Sequence, residues 1–200
     1  MSGQSSFHYY LNWAKERIDE MDAALASLEN KASEVQADLR TKSTQALAEL
    51  RKKRDEFQDA ARKQAEANDA AWASIKAQLD SDWTQFESEL DKYVATFGEQ
   101  VKQQQATFKL QAEAQIKAWR DAADKLNAAA TEFAGERRGD IDTMVGRMKA
   151  DATQADERLQ KLSQAGTASW SAMMNALNET RAAFDRANQS ARDAFRKAAS

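Results

Sequence analysis

The chain has 200 residues, with 29 lysines and arginines against 32 aspartates and glutamates, a net charge of -3, no proline and no cysteine. Mixed charge without a basic excess argues against nucleic acid as a partner, and the lack of cysteine excludes disulfides and thiolate chemistry. Hydrophobic residues make up 42%, much of it alanine, and charged residues 30%, a mix that suits long amphipathic helices and not strands.

Ser5 or Ser6 can cap a first helix ahead of Phe7, Tyr9 and Tyr10. Leu11, Ala14, Ile18, Met21, Leu25, Leu28, Ala32, Val35 and Leu39 then alternate spacings of three and four. This is a heptad seam, and it predicts a helix with coiled-coil packing. Lys15, Glu16, Asp19, Glu20, Lys31 and Glu34 take the opposite, solvated face. The seam goes on through Ala46, Leu50, Phe57 and Ala61, so helix 1 is expected over about 6–70. Within it, Arg51-Lys52-Lys53-Arg54 is the densest basic run. It reads as a solvated face neutralised by Asp55, Glu56 and Asp59, with phosphate or anionic lipid as the alternative.

Large apolar residues lapse between Gln64 and Asp69, where Asn68 or Asp69 can cap a new helix. Asp82 and Gln85 offer a second start with capping-box spacing. Either helix 1 turns within 66–82 or one helix runs on to about residue 134. A turn is preferred, since a lone helix of that length needs partners to cover its stripe. Helix 2, about 70–134, carries the most regular feature of the chain. Phe86, Phe97, Phe108 and Trp119 recur every eleventh residue, and Trp72 and Trp83 repeat the interval upstream; Phe133, outside that interval, is counted with the same seam. Eleven residues span close to three helical turns, so these rings stay on one side. They are the expected self-association seam. Buried packing in a bundle or oligomer is the first reading, insertion into lipid or a polymer surface the second, and a small-ligand pocket the third. Gln104, Gln111 and Gln115 fall where apolar residues are due. They form either a polar layer that fixes register or a slip in the assigned phase.

A turn is expected at 135–140, with Gly135 as a left-handed C-cap and Asp140 as the next N-cap. Helix 3, about 141–198, follows on Ile141, Val145, Met148, Ala152, Ala155, Leu159 and Leu162. A kink is allowed near 166, with Thr167 or Ser169 restarting the helix. Its last part is a basic amphipathic stretch whose apolar face, Trp170, Met173, Met174, Leu177, Phe184 and Phe195, is the candidate lipid-facing surface. Arg181, Arg186, Arg192, Arg196 and Lys197 outnumber its acids. Three helices of about 60 residues would each span roughly 90 Å and pair as an elongated antiparallel bundle.

Catalytic chemistry has little to work with. His8 is the only histidine, and no phosphate loop, zinc-spaced ligand set or nucleophile elbow occurs. Carboxylate pairs such as Glu87/Glu89 and Asp19/Glu20 read as solvated faces. No cofactor, metal or small-molecule substrate is expected. The Met-Ser-Gly-Gln-Ser-Ser start precedes no apolar run, and no stretch nears the ~20 apolar residues of a membrane span, so a cytoplasmic protein is expected, if anything peripheral on a membrane or granule.

The eleven-residue recurrence from Trp72 to Trp119 resembles exchangeable apolipoproteins, which coat lipid with helices of eleven- and twenty-two-residue repeat. The Ala- and Gln-rich helices also resemble phasins, coat proteins of bacterial polyester granules, and three long helices in one chain are similar to BAR and spectrin-type modules. The expectation is an all-α, non-enzymatic structural or interaction protein, a homo-oligomer joined through its heptad and eleven-residue seams. The alternative is a coat on a lipid or polymer-granule surface.

Overall fold

The structure is a computed structural model that describes residues 3–64, 69–97, 100–166 and 168–200, with side chains from residue 12 onward except at 64, 69, 70, 73, 100 and 101. It is all-helical. Among the described residues six helices follow one another: α1 (Gly3–Lys31), α2 (Arg40–Gln64), α3 (Asp69–Phe97), α4 (Gln100–Ala129), α5 (Glu136–Gln164) and α6 (Trp170–Ala199). Single 3-10 turns, Ala32–Glu34 and Ala130–Glu132, trail α1 and α4. Helices of 25 to 30 residues are about 38–45 Å long. The expected three helices of 60 residues are thus each folded in two.

Pairs across the bundle fix the directions. Ser43 meets Tyr93, Ser27 meets Thr107, and Arg158 meets Glu179, so α2/α3, α1/α4 and α5/α6 are all antiparallel. The first fold-back interrupts the heptad seam where no glycine marks it. After the turn at Ala32–Glu34, Val35 is extended (φ -66, ψ 136) and tucks its side chain into the interior. Packing overrides local propensity here, because folding back covers a stripe that a straight helix would leave wet. The second lies between Gln64 and Asp69, at the apolar lapse; the candidate cap Asn68 is outside the described residues. The other proposed start, Asp82 with Gln85, is inside α3. The third divides the expected 70–134 helix between Phe97 and Gln100.

Gly135 has a left-handed φ of +65, yet it stands directly before α5 as its N-cap, and Asp140 lies within that helix. Near 166 the chain reverses instead of kinking. Gly166 (φ +63) supplies the left-handed residue that a side chain with a Cβ rarely adopts. Ser169 caps α6, its hydroxyl accepting the Ala172 N–H at 3.3 Å, and Thr167 lies outside the described residues.

Two apolar cores result, one in each half. The N-terminal core joins Trp13, Met21, Leu25 and Leu28 of α1 to Leu47, Leu50 and Phe57 of α2 and Trp72, Leu79, Trp83, Phe86 and Leu90 of α3. The C-terminal core joins Phe108, Ile116, Trp119 and Leu126 of α4 to Ile141, Val145, Met148 and Leu159 of α5 and Met173, Leu177, Phe184 and Phe195 of α6. Between the halves α1 packs on α4 and α6. No described helix is long and apolar enough to cross a membrane.

Candidate functional site

The residues expected to form an intermolecular seam are shared between these cores. Trp72, Trp83 and Phe86 belong to the N-terminal one and Phe97 packs partly buried against it, while Phe108 and Trp119 belong to the C-terminal one with Phe133 partly buried beside it. Phe133 stacks edge-on with Phe195 at 5.7 Å, and Trp119 with Phe184 at 5.5 Å. The candidate lipid-facing residues Met173, Met174, Leu177, Phe184 and Phe195 are also buried in the C-terminal core. Trp170 is partly buried where both cores meet, and its indole donates to Asp91 at 2.9 Å. Every one of these rings and thioethers is covered, mostly or wholly, by the chain's own helices.

What joins the halves is polar. On α4, Gln103, Thr107, Gln111 and Gln115 recur every four residues, and on α1 Asn12, Glu16 and Glu20 do the same, with Ser27 further along. Four-residue spacing keeps each row on one helix face, so two antiparallel helices bring the rows together. The Ser27 and Thr107 hydroxyls sit 2.9 Å apart, and the Gln103 amide donates to both at 3.1 Å. About two turns along, the Gln115 amide donates to Glu20 Oε1 at 2.6 Å and to the Leu177 carbonyl at 3.1 Å.

The centre is ionic. Arg181 of α6 donates to Glu20 Oε2 at 2.5 Å and to Glu87 of α3 at 3.1 Å, and also to Asn178. Its guanidinium lies 4.5 Å from the centre of the Trp83 ring. Arg17 binds both oxygens of Asp185, at 3.0 and 2.8 Å, and touches Glu16. Four carboxylates (Glu16, Glu20, Glu87, Asp185) thus face two guanidiniums (Arg17, Arg181). Burial pushes the Glu16 carboxyl well above its ordinary range, against the pull of Arg17, and burial raises Glu87 against the pull of Arg181. For Arg181 burial works toward a lower value, but Glu20, Glu87 and Glu16 together outweigh it and hold the guanidinium above its ordinary value.

This cluster departs from the sequence expectation, which put Glu16 and Glu20 on a solvated face and Arg181 on an exposed basic one. Glu16 and Glu20 are both 0% exposed and Arg181 6%. Gln111 and Gln115, flagged for breaking the apolar phase, are fully buried. Gln104 is only half-buried, and Gln103 takes its place in the row. Three of the run's four cations meet acids, of which Asp55 and Glu56 are among those expected. Arg51 pairs with Glu29, Arg54 with Asp22 and Asp55, and Lys52 with Glu56, while Lys53 reaches Gln85.

No family model, curated protein or solved structure matches this chain. In the seam, hydrogen bonds and ion pairs hold the side chains in place. Its carboxylates are pinned by guanidinium or amide groups, and a groove of about 970 Å³, lined by Trp119, Ala155, Ala183 and Ala187, lies elsewhere, between α5 and α6. Among the described residues no group of three or more acidic or histidine side chains is placed to hold a metal ion. His8 lies outside the described side chains.

The seam is also poorly satisfied. Neither amide atom of Gln111 has a hydrogen-bond partner, nor do Asn12 Nδ2, Glu16 Oε1 and Gln115 Oε1. Each such group forfeits about 1–3 kcal/mol of hydration without return, and buried ion pairs contribute little net stability. Gln111→Leu is expected to raise stability by about 1–3 kcal/mol, read as a higher urea midpoint; a lower midpoint would mean that the amide is engaged.

Proposed function

We propose that this chain is a non-enzymatic structural and interaction protein that associates with copies of itself, trading the contact of α1 with α4 and α6 between chains. The observation that carries this reading is the division of labour in the interior. Apolar residues are gathered inside each run of three helices, and the surface between the runs is polar except at Trp170, which packs on both cores. Parting the halves therefore leaves both cores closed apart from Trp170, and the exposed rows of carboxylate, amide and guanidinium groups fit the same rows of a second copy. Exchange of identical elements is a low-cost route from monomer to dimer. Association through the aromatic row itself would instead require a core to open.

The coat reading ranks second for the same reason. Lipid or polymer contact by Met173, Leu177, Phe184 and Phe195 needs the C-terminal core opened, at about 1.5–3 kcal/mol for each large apolar side chain brought into water on the way.

Light scattering on the full chain over a wide concentration range, with heavy- and light-isotope preparations mixed before mass spectrometry, tests the proposal. Mixed-isotope dimers that form faster in mild urea are expected. A monomer at every concentration overturns self-association. Binding to vesicles or polymer granules, with helix content retained and no dimer in their absence, favours the coat.

A further inference from the structure

We propose that the junction of α1 with α6 is a proton-operated clamp, closed while the Glu16 carboxyl is protonated and loosened when it ionises. The inference rests on reading the seam as the working interface, and it names what regulates that interface. Glu16 lies in the middle of α1, is wholly buried, and has one oxygen without a donor. Its other oxygen touches Arg17, whose terminal nitrogens are already engaged by Asp185. Arg181, the other guanidinium acting on it among the described residues, is engaged by Glu20, Glu87 and Asn178.

The charges acting on Glu16 come from two helices. On α1 they are Arg17 and Glu20, and on α6 Arg181 and Asp185. From α3, Glu87 enters through Arg181; α4 brings the uncharged Gln115, which is bound to Glu20. With Glu16 neutral, Arg17 and Arg181 face Glu20, Glu87 and Asp185, an excess of one negative charge. Ionising Glu16 makes the excess two, in a site where water cannot spread the charge.

The sign follows from linkage. The folded state holds this proton more tightly than an ordinary carboxyl, whose value is 4.5. The closed junction is therefore at full strength below that value and weakens as pH rises through the raised one. Among the described residues the two guanidiniums that act on Glu16 are already held by other carboxylates, so neither is free to reverse the trend by turning wholly to the new charge. The clamp opens toward higher pH, opposite to the acid loosening that exposed, salt-bridged carboxylates produce.

Amide hydrogen exchange on the full chain, corrected for the intrinsic rate, reads the clamp from about pH 5 to about pH 9, a span that buried carboxyls reach. Protection in the middles of α1 and α6 is expected to fall by roughly tenfold for each unit by which the Glu16 value exceeds the ordinary one, while Ile141, Val145 and Met148 of α5 hold theirs. Glu16→Gln keeps the shape without the charge and is expected to remove the Glu16 part of the profile, leaving the smaller part due to Glu87, whose carboxyl burial also raises. Asp185→Asn removes one neighbouring charge and is expected to move the midpoint to lower pH. A parent protein with a flat profile, or a Glu16→Gln profile that follows the parent, overturns the clamp. Mass measured on the same samples separates the two readings. A pH-dependent junction in a permanent monomer sinks self-association alone, and pH-independent dimers sink the clamp alone.

Discussion

Arg181→Met is expected to destabilise the chain by about 3–5 kcal/mol, the scale for removing one partner of a buried ion pair. Methionine restores much of the side-chain volume, so the loss is mainly electrostatic. Glu20 and Glu87, held at 2.5 and 3.1 Å by the same guanidinium, are left facing each other without it. The Trp83 ring loses the cation lying over it, a contact worth about 0.5–2 kcal/mol. Urea unfolding at neutral pH gives the magnitude. Adding Glu20→Gln and Glu87→Gln to the variant should return most of the loss, because those carboxylates are the groups that Arg181 neutralises. If the triple variant is as weak as the single one, packing and not charge sets the role of Arg181. Lowering the pH is expected to recover part of the loss in Arg181→Met, since a carboxylate without its guanidinium can take up a proton instead.

How much of this was legible before the structure differs sharply between core and seam. Met21, Leu25 and Leu28, or Ile141, Val145 and Met148, announce themselves by recurring at three and four, and they are buried as that spacing requires. Periodicity does not say where a helix ends. At 32–39 the apolar pattern continues across a reversal that no glycine or proline marks, since the gain comes from covering the stripe with helices distant in sequence. At Phe97 the eleven-residue interval runs straight through the fold-back to Phe108. A ring can keep its place in the row and still serve a different core on either side of the turn.

The seam was harder still. Glu20 and Arg181 are 161 residues apart, and each sits among charged neighbours that do face solvent, such as Asp22 and Arg186. Nothing local separates a carboxylate awaiting a distant guanidinium from one awaiting water. Gln111 and Gln115 alone left a trace, by standing where the stripe asks for an apolar side chain. Their row extends by fours to Thr107 and Gln103, which is the signal that would have found the interface.

Trp119→Ala is expected to destabilise the C-terminal half by about 3–5 kcal/mol. The ring is fully buried, meets Phe184 edge-on at 5.5 Å, and lies among side chains from all three helices of its core. Its indole N–H has no acceptor, so Trp119→Phe loses packing volume but no hydrogen bond and should lose far less, about 1.5 kcal/mol or under. The comparison of most weight is with Phe57→Ala, an equally buried ring of the other core, 6.2 Å from Trp13. With a polar seam between the halves, the two truncations should act on different parts of the chain. Trp119→Ala should lower exchange protection in α4, α5 and α6, and Phe57→Ala that in α1, α2 and α3. Calorimetry of either variant should then resolve two transitions, with the untouched half melting near its parent temperature. A single shared transition in both variants would make the six helices one cooperative unit. Exchange of halves between chains would then have to pass through whole-chain unfolding, and a seam with unpaired amides at its centre would no longer be a place where this molecule comes apart.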